Sequence, residues 1–157
     1  VVYEHFGGKE GLYAVVVDRE MTALLDGITA SLTNNRFRNR VQAVALALLT
    51  YVEERTDGFR IMTRDSPAAI TVGTYSSLFN DAVNQVAPIL AGDFSRRGLD
   101  PELAPLYAQA LVGSVAMTAQ WWLESREPPK EVVAAHLVNL MWNGLAHLES
   151  GPQLRDD

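Results

Sequence analysis

Three histidines, nineteen carboxylates and thirteen basic side chains are the residues of this 157-residue chain able to do acid-base or ligand chemistry; cysteine is absent. Their spacing offers catalysis little. His136 and His147 stand eleven positions apart, about three helical turns, too far to share a metal ion. No Glu-x-x-His pair, no H-E-x-x-H, no G-x-S-x-G and no phosphate-cradling glycine loop occurs. Adjacent acids such as Glu53-Glu54 read as surface charge on a solvated helix side. Without cysteine there is no disulfide, thiolate metal site or Cys nucleophile. The expectation is a protein that is not an enzyme and that uses no metal or other cofactor. Its net charge of −6 repels phosphate as a whole, so any contact with nucleic acid must be local.

The elements that position these residues are all helices. Apolar residues recur at three and four positions throughout, and no period-two alternation persists long enough to propose a sheet. The spacing predicts a bundle of about six helices in one domain. The first runs from about Lys9 to Leu32 and the second from near Arg40 to the stop at Asp57-Gly58, with Phe59 to Arg64 as a connector turn. Another spans about Thr71 to Arg97, and Pro88 is expected to kink or split it after Asn84. Asp100-Pro101 reads as N-cap and N1 of a helix reaching about Ser125, and the last helix covers about Lys130 to Glu149. No apolar run reaches the roughly 18 to 20 residues that cross a bilayer, and no leader pattern is seen. A soluble cytoplasmic protein without a membrane partner is expected.

Tyr3-Glu4-His5-Phe6-Gly7-Gly8-Lys9-Glu10-Gly11-Leu12 is the most specific stretch of the chain. It resembles the signature of the TetR family of bacterial one-component regulators, with Tyr3, His5, Phe6, Lys9, Glu10 and Leu12 as the matching positions. The resemblance implies that residues 1–8 are the end of a DNA-binding helix-turn-helix whose remainder precedes Val1. Residues 9–157 would then form the helical ligand-binding and dimerisation domain. Tyr3, His5 and Lys9 would contact the DNA backbone, since the exposed amides and partial positive charge of a helix start favour phosphate. Residues 1–40 hold five basic and five acidic side chains, so the whole negative excess lies in the later part, held away from DNA.

Two further patterns carry expectations. The last two long helices are apolar on more than one side and need two partners, which predicts a four-helix homodimer interface. Its candidates are Leu111, Val115, Thr118 and Trp122 on one helix, and Leu137, Leu140, Met141, Gly144, Leu145 and Leu148 on the other. The middle helices carry bulky, adaptable side chains: Leu48, Tyr51, Phe59, Met62, Tyr75, Phe79, Val83, Met117 and Trp121. In the family this chain resembles, such residues surround a mostly apolar inducer pocket. Tyr51, Thr74, Asn80, Gln109 and Gln120 are candidate polar contacts.

The resulting expectation is a ligand-responsive regulator, a repressor released from double-stranded operator DNA by a small hydrophobic or amphipathic effector. The alternative is a stand-alone helical dimer that binds a small molecule and no DNA.

Overall fold

The structure, a computed structural model, describes residues 5, 7–31, 36–64 and 74–154; among them every regular element is helical. The elements are α1 (Lys9–Ser31), α2 (Phe37–Glu54), α3 (Thr56–Arg64), α4 (Thr74–Arg97), a 3-10 turn (Pro101–Leu103), α5 (Ala104–Ser125) and α6 (Lys130–Ala146). Helix α2 stands between α1 and α6, while α4 lies along α5.

Helix ends follow local chemistry. Asp100 caps the 3-10 turn by accepting from the Glu102 amide at 2.9 Å, with Pro101 behind it, and the turn runs straight into α5. Gly98 closes α4 at φ +72°, a left-handed conformation that frees the Leu99 amide to reach the Phe94 carbonyl at 2.9 Å. One boundary differs from the sequence reading. The stop expected at Asp57-Gly58 falls at Arg55 instead (φ −127°, ψ 47°), and the expected connector turn belongs to helix α3. Gly58 sits inside α3 because a Cβ there would lie 2.3 Å from the Glu20 Oε2 atom. Of the two outcomes expected at Pro88, a kink or a split, the split does not occur, since Pro88 lies within a single helix α4. Its missing donor leaves the Asn84 carbonyl without its ladder partner, and both residues are on the exposed side of the helix.

The core has two parts. The larger joins α1, α2, α3, α5 and α6 around Leu24, Leu49, Val52, Phe59, Trp122 and Met141. The smaller ties α4 to α5 and α6 through Leu90, Phe94, Ala104, Ala108 and Leu145, with Tyr107 set edge-on to Phe94 at 5.2 Å. At the far end from this second cluster, Arg126 closes α5 in the left-handed region (φ 56°). Its guanidinium lies 5.0 Å over the Trp122 ring and donates to the Val52 carbonyl and the Thr56 hydroxyl. Trp122 is fixed from its other edge, its Nε1 donating to the Pro128 carbonyl at 2.8 Å.

Candidate ligand cavity

A cavity of about 270 Å³ lies between the two core clusters. Leu24, Leu25 and Ile28 of α1 form one wall, and Phe37, Val41, Val44 and Leu48 of α2 the next. Helix α4 adds Phe79, Ala82, Val86 and Ile89; α5 adds Leu111, Val112, Val115 and Ala116; Phe59 and Met141 complete the lining. The polar lining residues are Arg40, Asp81 and Gln85. Among the described residues the lining is therefore nearly all hydrocarbon with a few polar groups, the pattern of a site for an apolar or amphipathic small molecule.

Of the pocket residues expected from sequence, Leu48, Phe59 and Phe79 line this cavity, and Tyr51, Met62 and Val83 do not. Met62 is buried in the larger core cluster and Val83 packs beside the smaller one. The side chain of Tyr75 and the whole of Tyr3 lie outside the described residues. Met117 and Trp121 are corrections: they are 65% and 56% exposed and point away from the cavity. The interface candidates are redistributed in the opposite sense. Leu111, Val115 and Met141 line the cavity, Trp122, Leu137 and Leu145 are buried within the chain, and Leu148 packs against the smaller cluster. Thr118, Leu140 and Gly144 remain on or near the outside, with Leu140 69% exposed.

The reason for this exchange is geometric. At about 100° per residue, α5 and α6 each present two apolar faces, and periodicity does not say which one turns inward. Leu106, Met117 and Trp121 form the outer stripe of α5 and Leu140 that of α6. A surface groove runs between them, bounded by Thr118, Trp121, Pro128, His136 and Leu140. The α1 wall and Phe37, Val41 and Val44 were missed as cavity residues, since their stripe reads equally as ordinary core. The polar candidates Asn80 and Gln109 are exposed, and neither they nor Gln120 line the cavity.

One turn from Leu24 along α1 stands the most connected polar group near the cavity. The Glu20 carboxylate accepts from the Tyr51 hydroxyl at 2.6 Å, from Arg55 Nε at 2.8 Å and from a second Arg55 nitrogen at 2.6 Å. The Arg55 bonds hold this carboxyl below its ordinary range despite the opposing effect of burial. Burial, reinforced by the bond to Glu20, pushes the Tyr51 phenol up. Further along the same edge Lys130 pairs with Glu53, which raises the ammonium. At the other end of α1, His5 and Lys9 are exposed.

Among the described residues no group of three or more His, Asp or Glu side chains is placed to hold a metal, and no helix is long and apolar enough to cross a membrane. The class is an all-α bundle built around an apolar cavity, with a long helix leading into it from the N-terminal side. Residues 37–144 match the tetracyclin repressor-like C-terminal domain, and the chain belongs to the TetR family of transcriptional regulators. It is similar to the HTH-type transcriptional activator FasR of Mycolicibacterium smegmatis, with 27% identity over 155 residues, 94% of this chain and 68% of that protein. Members of the family are DNA-binding regulators rather than enzymes and are typically dimeric. The chain is accordingly a transcriptional regulator of this family.

Proposed function

We propose that residues 9–157 bind a small hydrophobic or amphipathic effector in the cavity and form a homodimer, and that residues 1–8 end a helix-turn-helix that docks on operator DNA in the cytoplasm. The observation that carries this reading is the shared wall: Leu24, Leu25 and Ile28 belong to α1, whose other end begins at Lys9, four positions after His5 in the sequence. An effector touching that wall acts directly on the helix leading to the DNA. Two recognition helices in a dimer must sit about one DNA turn, ~34 Å, apart. A small change in their spacing then alters affinity, and a coupling of ~1 to 3 kcal/mol gives about 5- to 150-fold. Tyr3, His5 and Lys9 would supply backbone contacts. The dimer would use the outer stripes of α5 and α6, around Leu106, Met117, Trp121 and Leu140, rather than their buried faces.

Our reading of the sign is repression relieved by the effector. A second reading, activation, is favoured by the name of the FasR relative. The experiment is titration of the chain with 1-aminoanthracene, a neutral apolar fluorophore, beside an Ala116→Trp variant that fills the cavity. Saturable binding by the wild type and at least tenfold weaker binding by the variant support the site; equal binding by both removes it.

A further inference from the structure

The cavity is not uniform from end to end. Leu24, Phe59, Val115 and Met141 are 9% exposed or less and make up a deep part that offers hydrocarbon alone. Among the described lining residues the exposed ones are Leu25 of α1 and Asp81, Gln85 and Ile89 of α4, so the cavity opens between these two helices. Two of its three polar residues therefore stand at the opening. Asp81 and Gln85 are four positions apart and share one side of α4. Arg40, half-buried, adds a cation from α2. The polar lining is thus one cation, one anion and one amide, and its formal charge sums to zero. At ~30 Å³ for each water-sized group, the volume of about 270 Å³ takes about nine of them, the size of a chain of roughly eight to ten carbons.

We propose that the effector is a single-chain amphiphile of that length with an uncharged head that both donates and accepts hydrogen bonds, its chain in the deep part and its head at Arg40, Asp81 and Gln85. This rests on the ligand-binding reading above, and adds to it the direction and the charge of the molecule bound. A carboxylate drawn to Arg40 enters a lining that also holds Asp81, and an ammonium drawn to Asp81 enters one that holds Arg40. Each brings a like charge close to apolar walls, where screening is weaker than in open water. A hydroxyl or amide meets no like charge. It donates to the Asp81 carboxylate and accepts from the Arg40 guanidinium or the Gln85 amide. Arg40 and Asp81 are on this account the residues that set specificity, each rejecting the ion of its own sign.

The test is displacement of 1-aminoanthracene at pH 7 by decan-1-ol, decanoate and decylammonium, three ten-carbon probes that differ in the head. Decanol is expected to displace at the lowest concentration. An alcohol enters any apolar site more readily than an ion, so the deciding quantity is the midpoint of each ion relative to that of decanol. In Asp81→Asn the decanoate ratio is expected to fall about fivefold or more, and in Arg40→Gln the decylammonium ratio by a similar factor. Asp57→Asn, which removes an exposed carboxylate of α3 outside the cavity, is the control and leaves both ratios unchanged. Should Arg40→Gln not fold, Asp81→Asn decides alone, since that side chain is exposed. A decanoate ratio unmoved in Asp81→Asn, an equal fall in Asp57→Asn, or a wild type on which either ion outperforms decanol overturns the proposal and leaves the cavity as a ligand site. A wild type that binds no 1-aminoanthracene overturns the ligand-binding reading and the proposal with it.

Discussion

Glu20 links the stability of this protein to the protonation of one carboxyl. Its pKa is lowered from the ordinary 4.5 by the Arg55 hydrogen bonds foremost. The unfolded chain therefore binds this proton at a higher pH than the folded one. Stability from these bonds is present in full above the ordinary carboxyl pKa and is lost as pH falls through the lower, folded value. Glu20→Gln is expected to lower the urea midpoint at pH 7 and to flatten the acid limb, so that the two proteins converge as pH falls through the lowered, folded value. Parallel curves for wild type and variant through that value would show that the carboxylate carries no such linkage. Gly58 is explained by the same group, a position that sequence alone reads as a helix stop.

At the scale of elements, α4 shows how a helix tolerates a residue that should break it. Pro88 removes one ladder bond, but Pro88 and Asn84 are both exposed, so the loss falls on the solvent side of the helix and not in the core. Pro88→Ala restores the donor and loses the restriction proline places on the unfolded chain, two effects of opposite sign. The balance favours alanine by about 2 kcal/mol, a rise in Tm of about 4 to 8 °C for a chain of this size. An unchanged or lower Tm would mean that the proline bend itself is needed for the packing of α4 on α5. The short helix α3 follows the reverse logic. Nine residues form no stable helix alone, and α3 exists because Phe59 and Met62 are buried in the larger cluster while Thr56, at its start, is held by Arg126.

For the whole molecule, the inner and outer faces of α5 and α6 can be tested separately. Leu140 is exposed and Leu145, five positions on, is buried in the smaller cluster. Leu140→Glu is expected to halve the mass seen by light scattering while the helical circular dichroism stays intact. Leu145→Glu places an unpaired charge in the core and is expected to unfold the chain, with a loss of several kcal/mol. A Leu140→Glu protein of unchanged dimer mass would move the interface away from the outer stripe. The cavity and this stripe lie on opposite faces of α5.

The all-α class, the cap at Asp100-Pro101 and the family resemblance at Tyr3 to Leu12 were legible in the sequence, because each depends on local backbone chemistry or on residues close together in the chain. That α5 and α6 carry apolar residues on more than one side was also legible. Their division was not. Met117 and Trp121 turn outward while Val115 and Met141 turn in, because helical period distinguishes one face from another but not inside from outside. That distinction comes from where α2 and α4 pack, over contacts far apart in sequence. The same holds for Glu20: its partners Tyr51 and Arg55 are 31 and 35 positions away, and only the tertiary fold brings one carboxylate to both.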